Sequence, residues 1–76
     1  MALRFTMQVE SGDKLTDTIA EALDMAGRVG SRVAFAFGGT TIFVEPNPTL
    51  NPSNASTIIT TLVTFWTAKG APATAP

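Results

Sequence analysis

From Leu3 to Glu10 apolar and polar residues alternate without a break. Leu3, Phe5, Met7 and Val9 fall on one side, and Arg4, Thr6, Gln8 and Glu10 on the other. A period of two sustained over this length predicts a half-buried strand. Ser11-Gly12-Asp13 then interrupts the pattern, with Asp13 or Ser11 placed to cap a helix. Between Lys14 and Val29 the apolar residues Leu15, Ile19, Ala22, Leu23, Ala26 and Val29 fall within an arc of about 120° at the helical period. Lys14, Asp17, Glu21, Asp24 and Arg28 take the opposite side. This predicts an amphipathic helix stopped at Gly30.

Arg32 to Glu45 holds two β-rich runs around Gly38-Gly39. A glycine pair between such runs predicts a two-residue hairpin, because the tight primed turns need positive φ. Centred there, the hairpin pairs Phe37 with Thr40, Phe35 with Ile42 and Val33 with Val44 on one face. The other face opposes Arg32 to Glu45, Ala34 to Phe43 and Ala36 to Thr41. A one-residue slip would mix the two faces, so the pattern itself selects this register. Pro46 to Pro52 reads as a stiff connector, and Asn51 with Pro52 is a helix start.

Ser56 to Ala68 sets propensity against period. Its threonines and isoleucines favour a strand, yet Ile58, Ile59, Leu62, Val63, Phe65 and Trp66 cannot alternate and do cluster at 3.6 spacing, which predicts a helix. The expected fold is α+β, a compact β-α-β-β-α domain with a three-stranded sheet and two helices on one face. Residues 1–70 form the domain and 71–76 a flexible Ala/Pro tail. A right-handed crossover makes the first strand parallel to the second, unless it pairs antiparallel with the third. The helices cover the face bearing Phe35, Phe37 and Ile42, and the other sheet face stays open.

Composition adds a reason for association. The 76 residues are 45% hydrophobic and 14% charged, well below the roughly 25% charged residues of an average domain. Scaling relations give roughly 4,400 Å² of folded surface for this mass, so the core is thin. Small domains compensate with disulfides, metals or oligomers. The chain has no cysteine and no histidine, which removes bridges and ordinary zinc sites and leaves self-association. A homo-oligomer is therefore expected.

The second helix fits that expectation. Its apolar arc spans about 160°, wider than the roughly 100° one core needs. Ile58, Leu62 and Phe65 form one edge of the arc, and Ile59, Val63 and Trp66 the other. Thr57, Thr60, Thr64 and Thr67 occupy the far side. The simplest packing sets one broad stripe on the sheet and first helix; the alternative places Ile59, Val63 and Trp66 at an interface with a second copy.

On the open sheet face, Phe43 stands among alanines, and whether Arg4 and Arg32 lie within reach of it depends on strand order. A ring for stacking and guanidinium groups for phosphate are the minimum needed to hold a nucleotide-like ligand. The competing reading packs Phe43 against a subunit or a loop.

Catalytic chemistry is poorly provided for. Histidine, cysteine and tyrosine are absent, and with them the commonest acid–base and nucleophilic groups. Asp13, Asp17, Glu21 and Asp24 belong to the start and solvent side of one helix. Only Glu10 and Glu45 could form a carboxylate pair, and only if the first strand neighbours the third. Gly38-Gly39 lacks the Gly-Lys-Ser of a phosphate loop. Asn54-Ala55-Ser56 matches a glycosylation acceptor, which carries little meaning where no secretion signal is expected.

The net charge of −1 without a basic run argues against binding extended nucleic acid. No apolar run approaches the length of a membrane span. The expected location is cytoplasmic, and no metal or cofactor is expected. The functional expectation is a non-catalytic, homo-oligomeric binding module that sequesters or senses a small anionic ligand in a pocket between subunits. In size and lack of catalytic groups alone it is similar to small phage-encoded proteins that trap nucleotide signals. The alternative is a protein–protein interaction or assembly component with no small-molecule ligand.

Overall fold

Two glycines organise the sheet. Gly38 and Gly39 have φ of 58° and 83°, positive at both central positions as a type I′ turn requires. They join β2 (Val33–Phe37) to β3 (Thr40–Val44), paired antiparallel with Val33 opposite Val44, Phe35 opposite Ile42 and Phe37 opposite Thr40. This is the register that the hydrophobic pattern selects. The computed structural model describes residues 5–76. Its other elements are β1 (Phe5–Thr6), α1 (Leu15–Val29) and α2 (Ala55–Ala68).

β1 pairs parallel with β2, and the sheet order is β1-β2-β3. The chain therefore has an α+β fold with a mixed three-stranded sheet, α1 being the crossover that a parallel pair demands. As a paired element β1 is much shorter than the expected Leu3–Glu10. Leu3 and Arg4 lie outside the described residues. Past Thr6 the Met7 N–H still donates to the Ala34 carbonyl at 2.9 Å, and the alternation persists only as exposure. Met7 and Val9 are half-buried while Gln8 and Glu10 are exposed. The chain leaves the sheet to reach α1 through a turn in which the Glu10 N–H donates to Asp13 Oδ2 at 2.9 Å.

That turn occupies the Asp13 carboxylate, so neither Asp13 nor Ser11 caps α1. The cap position is Lys14, without a side-chain cap bond. The first helical N–H finds another acceptor: Leu15 N–H donates to the Ala73 carbonyl at 2.9 Å. Gly12 N–H donates to Ala75 O at 2.9 Å, and Ala75 N–H to Asp13 O at 2.7 Å. Residues 71–75 are thus a strap and not the loose tail expected from composition. Ala71 and Ala75 are buried. The reason is local: helix N-termini leave N–H groups needing acceptors, and the Ala/Pro segment supplies carbonyls with little chain entropy to lose.

The core joins Leu15, Ile19, Ala22, Leu23 and Ala26 of α1 to Val33, Phe35, Phe37, Ile42 and Val44 of the hairpin. Phe35 and Phe37 meet edge to face at 6.2 Å between ring centres. Gly30 ends α1 in the left-handed conformation, its N–H donating to Ala26 O. α1 packs on β2 and β3, and α2 packs on α1.

α2 is entered through reciprocal asparagine contacts. Asn51 Oδ1 accepts from the Ser53 and Asn54 N–H groups at 2.9 and 3.1 Å, and Asn54 Oδ1 accepts from the Asn51 N–H at 2.8 Å. This is the geometry of a capping box. The cap position of α2 is Asn54, without a side-chain cap bond, and Asn51, the expected cap, closes the turn at 52–54 that leads into the helix.

Candidate functional site

The sheet face away from α1 is open, as the register demands. Thr6, Ala36, Thr41, Phe43 and Glu45 are exposed on it. Phe43 stands opposite Ala34, whose small side chain leaves the ring uncovered at 42% exposure. Arg32 enters the same face immediately before β2. Its guanidinium carbon lies 4.5 Å from the centre of the Phe43 ring, within cation–π range. The guanidinium reaches diagonally to Phe43 and makes no ion pair with Glu45, its partner by register. Among the described residues the ion pair is Arg28 with Asp24, at 3.0 Å.

Two of the three residues expected to form a ligand site are therefore brought together, while Arg4 lies outside the described residues. The conditional carboxylate pair is not formed. β2 lies between the first and third strands, so the strands next to Glu10 and Glu45 are at opposite edges of the sheet.

α2 differs from its helical-wheel reading in one respect. Ile59, Val63 and Trp66 are half-buried against the core, as are Ile58 and Leu62. The outward aromatic is Phe65, 51% exposed, which the wheel grouped with Ile58 and Leu62. Its ring meets Trp66 edge to face at 5.2 Å, and Lys69 Nζ lies 4.9 Å from its centre. The four-residue spacing of Phe65 and Lys69 was the available signal for that pair. No residue of α2 is buried.

A hollow of about 260 Å³ lies at the start of α1, lined by Gly12, Asp13, Lys14, Asp17, Thr18 and Glu21. Three carboxylates against one ammonium make it unfavourable for an anion. Among the described residues no group of three or more potential metal ligands occurs, and no helix is long and apolar enough to cross a membrane. In comparisons with protein families, curated proteins and solved structures, the chain matches none.

Proposed function

We propose that the chain is a small non-catalytic, homo-oligomeric binding module that holds a small anionic, nucleotide-like ligand on the open sheet face. The carrying observation is the Arg32 guanidinium lying over the exposed Phe43 ring, with no carboxylate partner among the described residues. The cation–π contact holds the guanidinium over the ring, and its N–H fork supports bidentate contact with phosphate. A planar base can extend the same stack. With no histidine, cysteine or tyrosine in the sequence, the ligand is sequestered or sensed and not transformed.

Self-association is supported by surface area. The single copy exposes 5005 Å², against roughly 4,400 Å² for a compact monomer of this mass. α2 carries no charged residue and no buried one. That same helix favours the alternative, an assembly component that binds no small ligand.

Thermal shift in the presence of mono- and dinucleotides separates the two readings. A ligand at 100 times its Kd adds about 2.7 kcal/mol, which raises Tm by on the order of 10 °C in a domain this small. The shift should vanish in Phe43→Ala and Arg32→Ala without change of oligomer size. No shift with any nucleotide at millimolar concentration favours the assembly reading.

A further inference from the structure

We infer that β3 is the edge along which two copies join, pairing antiparallel with itself to make one six-stranded sheet. This rests on the binding-module reading and deepens it, because the joint puts two Arg32–Phe43 pairs on a single face.

The argument begins with which backbone groups β3 leaves unused. In a two-residue hairpin the residues flanking the turn exchange both backbone bonds, and bonded and non-bonded pairs then alternate. Thr40, Ile42 and Val44 therefore bond to β2. Thr41 and Phe43 turn their N–H and C=O groups outward. The sheet order places β3 at an edge, and among the described residues no backbone bond from outside the hairpin reaches these groups.

Natural edges are guarded by charge, proline, a bulge or short length. The segment Thr-Thr-Ile-Phe-Val has no charge and no proline, and its pairing with β2 runs unbroken from Thr40 to Val44. Every residue in it favours strands. Among the described residues the opposite edge, β1, covers only Phe5–Thr6.

The segment is also self-complementary. An antiparallel pair centred on Ile42 uses the whole strand and sets Thr41 against the partner's Phe43. Each such pair is an outward-facing, bonded one, giving about four backbone hydrogen bonds across the two-fold axis. Buried-face residues stay with buried-face residues and open with open, so the register is consistent on both sides. Phe43 opposite the partner's Thr41 is an aromatic–β-branched pair. Glu45 falls opposite the partner's Gly39, so no like charges meet. A foreign strand could use the same backbone groups, but it would have to supply the complementarity that a second copy already carries.

In the joined sheet the two Phe43 side chains are diagonal cross-strand neighbours, roughly 7–8 Å apart and within reach of each other as aromatic side chains. Each carries its own Arg32. A binding surface of two rings and two guanidinium groups then spans the two-fold axis, suited to a flat ligand with phosphate on both sides.

The test is the mass of the full chain in solution by light scattering, over a concentration series. The wild type should run at twice the 7.9 kDa chain mass. Thr41→Pro removes an outward N–H that the hairpin does not use, and should run as a folded monomer by circular dichroism. Thr41→Lys adds the missing guard and should do the same without altering backbone chemistry. Phe43→Ala should stay dimeric while losing the nucleotide-dependent Tm shift, which separates failure of the edge from failure of the ligand site. A monomeric wild type at high concentration overturns the inference. So does a dimer that survives both Thr41 variants or is broken by Phe65→Ser alone, and so does a monomer that pairs only with a foreign strand.

Discussion

Gly38→Ala probes the joint between strap and hairpin. Gly38 has φ of 58°, and a Cβ built there falls on Cγ and Cδ of Pro72, well inside contact distance. Two costs combine. A left-handed conformation costs a non-glycine residue roughly 1–2 kcal/mol. Overpacking against a neighbour that cannot yield adds about 1–3 kcal/mol. Pro72 yields poorly, because Ala71 and Ala75 on either side are buried. The loss lowers Tm by on the order of 10 °C or more. Gly39→Ala, at φ of 83° with nothing within 4 Å of its Cβ, should show the backbone cost alone. The decisive comparison is a double-mutant cycle with Pro72→Ala, which removes the two ring atoms that meet the new Cβ. Urea unfolding followed by the fluorescence of Trp66, the only tryptophan, gives each stability at one fixed protein concentration. In the Pro72→Ala background the Gly38→Ala penalty should fall by at least about 1 kcal/mol. Effects additive to within about 0.5 kcal/mol would refute the contact, and with it the docked strap.

Asn51→Ala removes the acceptor for the Ser53 and Asn54 N–H groups and should cost about 1 kcal/mol, read as a Tm fall of roughly 4–8 °C; Asn51→Asp should keep most of it. Asp24→Ala breaks the ion pair with Arg28, but both side chains are largely exposed, so denaturation should register no more than about 0.5 kcal/mol. In native-state hydrogen exchange the Leu15 and Ala75 amides, which bond the strap to the start of α1 and to Asp13 before it, should be protected; exchange as fast as in a free peptide would mean the strap is undocked. α2, with no buried residue, should open more readily than α1 at low protein concentration, as the ratio of their exchange rates would record.

The sheet was legible because its signals were redundant. Gly38-Gly39, the alternation of Val33, Phe35 and Phe37, and that of Ile42 and Val44 each imply the same register, so a slip would violate all of them. The Arg32–Phe43 contact followed from that register, since small Ala34 opposite Phe43 leaves room above the ring. Strand order was not legible. Both pairings of β1 satisfy the alternation of Phe5, Met7 and Val9, and only the choice of β2 as neighbour separates Glu10 from Glu45.

The strap and α2 were hidden for opposite reasons. In the strap, Gly70 to Pro76 has no period to read, and its hydrogen bonds to the body are made by backbone groups, which every residue has. The need was visible at the other partner: α1 begins without a side-chain cap once Asp13 is spent in the preceding turn. In α2 the period was readable but not its use. Threonine-rich sequence disfavours helix intrinsically, and Thr61 answers by donating its hydroxyl to the Thr57 carbonyl at 2.9 Å, a contact that satisfies the side chain without strengthening the helix. The helix then depends on contact along one side with α1, which half-buries Ile59, Val63 and Trp66 and turns Phe65 outward. A helix with so little burial is stable in proportion to what lies against it. The same accounting links α2 to β3: one leaves apolar side chains half covered, the other leaves backbone groups unpaired, and self-association is the one event able to satisfy either without a further component.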